Sequence, residues 1–456
     1  MNDVMSPAAP SNDSVRLDGA AIRAVRPRSA VSSGVGVAGL VGLFGWFILS
    51  RQLGWDNERS ALASVVCTGF AMVLWSLFVD KVHRNPTTGI DWSLRRPWAE
   101  VNDITPVKLT GLWATWAIIA FVYFVMRTYW SGQYAFAMQV LGWALGPMAL
   151  LSVPYMLWLD RHLVAPRDGA WHFGRWLLGG DGVDHTQVWK HWRAWVVKGF
   201  FTAFMISIVP GNFTDIVLRP WGIILGNPVE FAAFGIGLFY LVDVHFATVG
   251  YVLTMRPLDA HIRTANPYGM GWVAALACYP PFVLMNPNGP LFYEQDGRQW
   301  NWWFDAFGVP VQGWWIWGAM LVALTAIYAW ATVAFGLRFS NLTHRGIITH
   351  GPYKWTRHPA YVAKNAFWWL SSLVILPWDG GVVTAVRNTM LLSAVSGIYY
   401  WRAKTEERHL LADPDYRAYW DWAQEHAPVP RFFGWVTGLE RPVIVLEPDE
   451  RVGPVV

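Results

Sequence analysis

The sequence predicts an all-α polytopic membrane protein with about ten transmembrane helices. Of its 456 residues, 54% are hydrophobic and only 14% are charged, against roughly 25% charged residues in an average soluble domain. Stretches of about twenty apolar residues, the length that crosses about 30 Å of hydrocarbon as a helix, recur along the chain. Many of the 32 tryptophans fall at the ends of these stretches, where their amphipathic rings suit the level of the lipid head groups.

The composition also argues against several classes of function. The formal net charge of +4 is small for a chain of this length, and the basic residues cluster in loops, so nucleic-acid binding is not expected. The only two cysteines, Cys67 and Cys278, lie inside apolar runs and offer neither a disulfide framework nor a thiolate metal site. No glycine-rich phosphate loop follows a strand pattern, which excludes a Rossmann cofactor site.

Residues 1–30 are rich in Ser, Ala, Pro and Asp and contain Arg23, Arg26 and Arg28 just before the first apolar run. A signal peptide would place a short apolar core nearer the start of the chain and follow it with a small-residue cleavage site. We therefore expect a disordered cytoplasmic tail.

Ten apolar stretches are candidate spans. We expect the first six near residues 33–50, 61–79, 109–126, 135–158, 195–218 and 223–254. Four more lie near residues 270–285, 313–337, 362–377 and 382–401. The seventh and the ninth are short, and we expect them to be tilted or partly buried.

The distribution of Lys and Arg predicts the orientation in the membrane. Basic residues collect in the loops 80–108 and 159–193 and in the loop after residue 254, whereas the loop 286–312 is acidic. Because basic residues in short loops resist translocation, the three basic loops should be cytoplasmic. An even number of spans, with both termini cytoplasmic in a bacterial inner membrane, satisfies these assignments.

The most unusual segment is 350–361, which reads His-Gly-Pro-Tyr-Lys-Trp-Thr-Arg-His-Pro-Ala-Tyr. Pro352 and Pro359 fix the backbone and forbid a regular helix through them, so the side chains of Arg357 and His358 can be held still. The planar fork of the arginine suits a carboxylate. The alternative is that a basic, aromatic loop merely anchors the protein at the lipid head groups.

A second polar segment, 399–411, follows the last apolar run. Helical spacing places Tyr399, Arg402, Glu406 and His409 along one face of the helix. A carboxylate beside cations could bind an ammonium, a ribose diol or a sulfonium. The alternative is a solvated helix end with ordinary ion pairs between neighbouring turns.

The two polar segments should meet in space. Residues 378–381, Trp-Asp-Gly-Gly, predict a tight turn between the last two spans, so that the resulting helical hairpin opens toward the cytoplasm. We therefore expect 350–361 and 399–411 to share one crevice at the inner face of the bilayer. Beyond them, Asp413 and Pro414 predict a turn followed by a short amphipathic helix on the surface.

Taken together, these motifs resemble the isoprenylcysteine carboxyl methyltransferase family and the related phospholipid methyltransferases. The resemblance rests on Gly351-Pro352-Tyr353, Arg357-His358-Pro359 and Tyr361, then a helical hairpin, then Glu406-Glu407 with Leu410 and Tyr416. It covers roughly residues 335–430, under a quarter of the chain. It implies a methyltransferase-like helical hairpin module at 313–435, after an N-terminal transmembrane region at 31–312 and before a C-terminal tail at 436–456.

The resemblance implies an S-adenosylmethionine pocket at the cytoplasmic surface and a lipid-like or isoprenoid-linked acceptor, with no metal and no protein partner. By analogy with the family, the residues bordering the cofactor are His350, Gly351, Tyr353, His358, Tyr361, Glu406 and Glu407. Arg357 and Arg402 are candidates to orient an acidic acceptor. One departure concerns the residues after Tyr361: the family commonly has a small residue, often glycine, two places on, whereas here Ala363 is followed by Lys364 and Asn365. The extra cation could alter the acceptor side.

The main alternative is an NADPH-dependent membrane oxidoreductase resembling the sterol reductases. These proteins also have about ten helices and an Arg-His-x-x-Tyr element, present here at 357–361, and the stretch 253–281 resembles them faintly. They need an acidic proton donor in the membrane, a role for which Asp243 and Glu230 are the candidates. A hydrogen bond between helices is the simpler explanation of Asp243 and His245. The Gly-Pro-Tyr lead-in fits the methyltransferases better.

A third possibility is a non-enzymatic transporter or scaffold. Transporters often pair broken helices in matching halves of the chain. Pro210-Gly211-Asn212 and Gly226-Asn227-Pro228 are candidate breaks, but the second half of the sequence shows no partner for them.

Overall fold

The computed structural model describes residues 25–287, 289–293, 299–377 and 381–437. They form the all-α polytopic fold that the sequence predicts. The predicted N-terminal tail (1–30), the predicted turn at 378–381 and the predicted C-terminal tail (436–456) fall largely outside the described residues.

Eight helices lie between residues 33 and 252: α1 (Ser33–Leu53), α2 (Glu58–Leu74, extended by a π-helical turn at Trp75–Val79), α3 (Trp98–Val125), α4 (Tyr134–His162), α5 (Gly169–Leu177), α6 (His185–Val217), α7 (Trp221–Gly226) and α8 (Pro228–Val252). The remainder contains α9 (Gly269–Leu276), α10 (Trp300–Ala306), α11 (Val311–Phe335), α12 (Pro359–Ser372), α13 (Gly381–Leu410), α14 (Pro414–His426) and α15 (Pro428–Thr437). The strands β1 (Thr264–Ala265) and β2 (Thr343–His344) pair antiparallel. Short 3-10 turns occur at Val82–Arg84, Pro86–Thr88, Arg127–Trp130, Arg256–Leu258, Gly336–Arg338 and Gly351–Lys354.

Polar side chains set where several helices begin. The side chains of Asn57, Asp168, Asp184, Asn227 and Asp413 accept hydrogen bonds from the first free backbone N–H groups of α2, α5, α6, α8 and α14. The Asp413 cap begins α14, which confirms the short helix predicted after the polar segment 399–411. Its position folds the chain back over the end of the bundle.

Eight helices among the described residues are long and apolar enough to cross a membrane: α1, α2, α3, α4, α6, α8, α11 and α13. The predicted total of ten spans is not confirmed. The span expected near 270–285 is the eight-residue helix α9 followed by irregular chain, and the one expected near 362–377 is the fourteen-residue α12. At 1.5 Å per residue these helices are roughly 12 and 21 Å long, too short to cross the hydrocarbon alone.

The chain nevertheless passes from one end of the bundle to the other around α9. Thr264 pairs with His344, just beyond the end of α11, whereas the ring of Trp300 lies 5.9 Å from that of Trp314 in the first turn of α11. Residues 280–281, a Pro-Pro pair, prevent the helix from continuing between these points. Non-helical backbone is tolerated at membrane depth where it is buried in protein or lines a cavity. In this stretch Tyr293 is buried and Tyr279 lines the cavity described below, whereas Phe282 is exposed.

The three basic loops meet at one end of the bundle. The Asn85 side chain donates to Asp259 Oδ2 at 3.0 Å, which joins the loop after α2 to the loop after α8. The Val164 N–H donates to the Gly89 carbonyl at 3.0 Å, which joins the loop after α4 to the loop after α2. The loops that the sequence assigns to one side of the membrane are therefore neighbours.

The centre of the fold is α8, which packs against α2, α6 and α11. His245 is fully buried on it; its Nε2 lies 2.6 Å from Ser64 Oγ on α2, and its Nδ1 lies 2.8 Å from the Leu241 carbonyl. His245 therefore forms a hydrogen bond between two helices, the simpler explanation of a polar residue inside this span. Glu230 lies at the opposite end of α8, 3.5 Å from Arg219.

A buried arginine fixes the ends of α8 and α11. The Arg345 guanidinium donates to the carbonyls of Gly250, Leu253, Ala260, Leu337 and Phe339. These carbonyls belong to helix ends and to the loop after α8, where the backbone has no partner of its own. Burial lowers the pKa of Arg345 to about 9, which still leaves it charged at neutral pH. The loop carrying β2 is thereby held against the end of the bundle.

Candidate functional site

A cavity of about 160 Å³ lies at the end of the bundle where the basic loops meet. Its lining comes from the last turns of α11 and the loop after it (328–348), from the segment before α12 and the first turns of that helix (353–364), from the end of α13 (399–410), from α14 (416–419) and from Tyr279. A single water needs only about 10–15 Å³, so the space is large enough for a ligand group or several waters.

The two polar segments meet at this cavity, as predicted. Glu407 Oε1 lies 2.8 Å from Arg357 Nε and 3.1 Å from His358 Nε2. The Tyr361 hydroxyl donates to Glu406 Oε1 at 2.5 Å. Glu407 is largely buried, so these charge-assisted hydrogen bonds tie the start of α12 to the end of α13.

Arg402 is held from both sides. Its Nε lies 3.2 Å from Glu406 Oε1, and its Nη2 donates to Asn341 Oδ1 at 2.6 Å. The Asn341 amide in turn donates to the Tyr279 hydroxyl at 3.1 Å. The guanidinium carbon of Arg402 lies 5.2 Å from the centre of the Tyr361 ring, within cation–π range. With 3% of its side chain exposed, Arg402 is part of the wall and has little freedom to move.

Aromatic rings form much of the remaining surface. The His358 and Tyr361 rings stack nearly parallel with centroids 5.5 Å apart, and the Tyr399 ring meets Tyr361 edge-on. Tyr353 reaches the cavity beneath them, and its carbonyl accepts a hydrogen bond from the Tyr419 hydroxyl at 2.8 Å. Burial raises the pKa of the Tyr353 and Tyr419 phenols well above the usual range, so both stay neutral.

Most of the predicted site residues line this cavity: Tyr353, Arg357, His358, Tyr361, Arg402 and Glu406. Glu407 lies behind Arg357 and His358 and reaches the cavity through them. The other two predicted residues face away from it. His350 Nδ1 lies 2.8 Å from Ser29 Oγ, and Gly351, at φ +60°, packs against the Trp330 ring.

Sequence reasoning assigned no site role to the loop after α11. Asn341, His344 and Arg345 all line the cavity, yet the sequence marks this loop only by its positive charge. His344 Nε2 lies 3.3 Å from Asp413 Oδ2, and burial lowers the pKa of His344 to about 4, so the ring is neutral at pH 7. His409, predicted on the polar face of α13, lines the cavity beside it with Nε2 2.9 Å from Thr264 Oγ1.

The intramembrane carboxylate of α8, Asp243, lies behind the cavity wall. The Tyr328 hydroxyl donates to Asp243 Oδ2 at 2.7 Å, and the Thr332 hydroxyl donates to Oδ1. Both hydroxyl residues line the cavity, as does Lys364, whose Nζ lies 5.2 Å from the centre of the Tyr328 ring. Hydrogen bonds to Asp243 thus link α8 to Tyr328 and Thr332 in the cavity wall.

Arg357 offers a buried hydrogen-bond donor at the cavity that remains unused. Arg357 Nη1 is buried and has no hydrogen-bond partner among the described residues, while the guanidinium carbon lies 4.9 Å from the centre of the Trp420 ring. An unpaired buried donor costs about 1–3 kcal/mol, a cost that a ligand acceptor would relieve. The part of the chain that the structure describes contains no cluster of His, Cys, Asp or Glu suited to a metal ion.

Comparison with known proteins identifies the module around this cavity. Residues 317–412 match the family model of the isoprenylcysteine carboxyl methyltransferase (ICMT) family, which confirms the resemblance seen in the sequence. Searches of curated proteins and of solved structures found no match. The matched segment runs from α11 to the end of α13 and contains both polar segments. The chain is therefore a multi-pass membrane protein that carries a methyltransferase module in under a quarter of its length.

Proposed function

We propose that the protein is an S-adenosylmethionine-dependent methyltransferase of the bacterial inner membrane, acting on a lipid-like or isoprenoid-linked acceptor. The observation that supports this most directly is the contact between the two polar segments inside the family match. Arg357 and Tyr361 of one segment bond to Glu407 and Glu406 of the other, and together they wall a cavity. The clustering of the three basic loops at this end favours the cytoplasmic face.

The residues present suit this cofactor. Its methionine part carries an ammonium and a carboxylate, and its nucleoside part carries a diol and an aromatic base. Glu406 supplies a carboxylate for the ammonium or the diol, and the unpaired Arg357 Nη1 supplies a donor for a carboxylate. The stacked faces of His358 and Tyr361 provide an aromatic surface against which a base or a positive sulfur can lie.

When bound, the cofactor supplies a methyl group whose bond to sulfur breaks with both electrons returning to sulfur, while a lone pair of the acceptor forms the new bond to carbon. This transfer needs little acid or base help, so the task of the protein is to position the reactants and to exclude water. Ideal alignment can lower a barrier by on the order of 7–11 kcal/mol. The network through Glu407, Glu406 and Asn341 holds Arg357, Arg402 and Tyr361 in place for this purpose.

Calorimetry on the detergent-purified protein tests the proposal. We expect S-adenosylhomocysteine to bind with micromolar affinity and NADPH not to bind. His358→Ala and Glu406→Ala should each weaken that affinity about tenfold or more, because each removes a polar contact of the cavity. Lys190→Gln, an exposed change on α6, is the matched control. Unchanged affinity in both cavity variants would show that the pocket lies elsewhere.

One observation favours the oxidoreductase alternative. The proton donor that such chemistry requires is available in Asp243, which bonds to the cavity-lining Tyr328, whereas Glu230 lies at the far end of α8. The family match favours the methyltransferase. Micromolar binding of NADPH alone would decide for the oxidoreductase.

Binding of neither ligand would favour a non-enzymatic role. The structure gives that alternative limited support, since α6 runs unbroken through Pro210 and only the second candidate break, between α7 and α8, interrupts a helix.

A further inference from the structure

The segment just before α1 crosses the loop 346–350, part of which lines the cavity. We call this segment, residues 26–31, the N-terminal brace. The Ala30 N–H donates to the Ile347 carbonyl at 2.8 Å, and the Thr349 hydroxyl donates to the Pro27 carbonyl at 2.8 Å. The cavity lining includes Ile347 and Ile348 but no residue of the brace, all of which the structure describes. The brace therefore supports the loop from behind.

Ser29 links the brace to the motif histidine, 321 positions further along the chain. Its Oγ lies 2.8 Å from His350 Nδ1 and accepts from the Thr349 N–H at 3.4 Å. Because the oxygen accepts from the backbone, its own proton is free to be donated to the ring. Burial, with smaller effects of Lys354 and Arg26, lowers the pKa of His350, so the ring is neutral at pH 7 and can accept.

The brace also contacts α14. The Arg26 guanidinium carbon lies 5.4 Å from the centre of the Trp422 ring, within cation–π range. That ring stacks on the ring of Tyr419, with centroids 6.3 Å apart. Tyr419 lines the cavity and donates its hydroxyl to the Tyr353 carbonyl. The brace thus reaches a second wall of the cavity through Trp422.

The brace is itself fixed to the helical bundle. Val31 is buried, and Ala30 lies so close to the loop that a Cβ on Gly346 would come within 2.7 Å of the alanine Cβ. The chain then enters α1, which packs along α2. The brace therefore ties the loop 346–350 to the first spanning helix, far outside the segment 317–412 that matches the family.

These contacts allow two explanations of His350 to be compared. A ring that contacts the cofactor has to reach the cavity, but the lining includes Tyr353 and not His350. A ring that receives the brace needs a partner on it, and Ser29 is that partner. The geometry fits the second explanation.

We propose that the N-terminal brace positions the loop 346–350 and α14 around the cavity, and that His350 receives the brace through Ser29. His350 and Ser29 are then positioning residues that do not contact the cofactor. The inference takes its ligand from the proposed function, whereas the brace rests on contacts of the protein alone. It gives the N-terminal region a part in shaping the site.

Hydrogen–deuterium exchange of the ligand-free, full-length protein tests the brace. Ser29→Ala should speed amide exchange in residues 347–350 about two- to tenfold, the change expected when one neutral hydrogen bond is lost. Ser29→Thr keeps the hydroxyl and should restore slow exchange. Arg28→Gln, at an exposed position of the same segment, is the matched control and should change nothing. Unchanged exchange in Ser29→Ala would overturn the inference.

A double-mutant cycle in ligand affinity separates positioning from direct contact. Calorimetry measures S-adenosylhomocysteine binding to Ser29→Ala, to His350→Ala and to the double variant. If the brace acts through His350, each single change weakens binding by a similar factor, about two- to tenfold. The double variant then binds within about twofold of His350→Ala, because both changes remove one contact. If the ring contacts the cofactor, the two losses multiply, which would contradict the inference.

Failure of the brace and failure of the proposed function give different results. If S-adenosylhomocysteine does not bind while loop exchange responds to Ser29, the proposed function fails and the brace stands. If S-adenosylhomocysteine binds with an affinity that ignores Ser29, the brace does not position the site, and the proposed function stands. Thermal unfolding checks that each variant folds; if His350→Ala does not, the comparison of Ser29→Ala with Ser29→Thr decides.

Discussion

Glu407 is the residue on which the contact between the two polar segments depends most. Its carboxylate accepts from Arg357 at 2.8 Å and from His358 at 3.1 Å, and its second oxygen accepts from Lys404 at 3.0 Å. Glu407→Gln keeps the size of the side chain but removes its charge. Arg357, with only about a tenth of its side chain exposed, would then lack a counter-ion as well as a partner for Nη1.

The expected magnitude follows from this geometry. Removing one partner of a buried ion pair costs about 3–5 kcal/mol of stability. Without Glu407, Arg357 and His358 lose the carboxylate that fixes them. Ligand binding should then weaken by the value of one charge-assisted hydrogen bond, about 1.5–3 kcal/mol. This corresponds to a roughly 10- to 150-fold higher dissociation constant for S-adenosylhomocysteine. The third partner, Lys404, has 47% of its side chain exposed, so its ion pair contributes only about 0–1 kcal/mol.

The assay combines calorimetry with thermal unfolding followed by tryptophan fluorescence. Lys404→Gln is the matched control, because it removes the exposed partner of the same carboxylate. We expect a large loss of affinity and a clear fall in the unfolding midpoint for Glu407→Gln, and small changes for the control. Equally small changes in both variants would refute the view that Glu407 anchors the Arg-His segment.

Three further substitutions probe other contacts of the module. Arg345→Lys should lower the free energy of unfolding by about 3–5 kcal/mol, because an ammonium cannot reach the five carbonyls that the guanidinium joins; an unchanged unfolding midpoint would contradict this. Burial lowers the pKa of His344 to about 4, so between pH 6.5 and 4 the unfolded chain binds a proton that the folded chain does not. Stability should therefore fall as the pH drops through this window, and His344→Gln should flatten that fall in unfolding midpoints measured against pH. Gly351→Ala should destabilise the fold by about 1–2 kcal/mol, since an added Cβ at φ +60° is strained. The affinity for S-adenosylhomocysteine should change less than about twofold, because Gly351 faces away from the cavity; a tenfold loss would show that it borders the cofactor.

The sequence predicted the positions of the long helices better than it predicted how many helices cross the membrane. Apolar length identifies α1 to α4, α6, α8, α11 and α13, because lipid demands a continuous hydrogen-bonded helix wherever backbone meets hydrocarbon. It fails at α9, where the helix ends after eight residues, ahead of the Pro-Pro pair at 280–281. Hydropathy measures how apolar a stretch is, and it does not register whether that stretch faces lipid or other helices.

The site was predictable where local periodicity determines it. Helical spacing places Tyr399, Arg402, Glu406 and His409 on one face of α13, and all four line the cavity. The contributions that the sequence did not reveal come from distant parts of the chain. Asn341 bonds to Arg402 from a loop whose Arg345 guanidinium bonds to the ends of α8 and α11, and no local sequence pattern encodes these contacts.

His350 and Gly351 show the limit of analogy with a family. Both belong to the motif that resembles the methyltransferases, but only Tyr353 of the 3-10 turn at Gly351–Lys354 reaches the cavity, whereas His350 bonds to Ser29 and Gly351 lies against Trp330. Membership in a motif therefore does not determine the direction of each side chain.

Hydrogen–deuterium exchange with and without S-adenosylhomocysteine tests the central claim most directly, since it reports where the ligand binds. The account predicts slower amide exchange in both polar segments, residues 353–361 and 402–409, at a saturating ligand concentration. Protection confined to other parts of the chain, or protection of these segments by NADPH and not by S-adenosylhomocysteine, would contradict it.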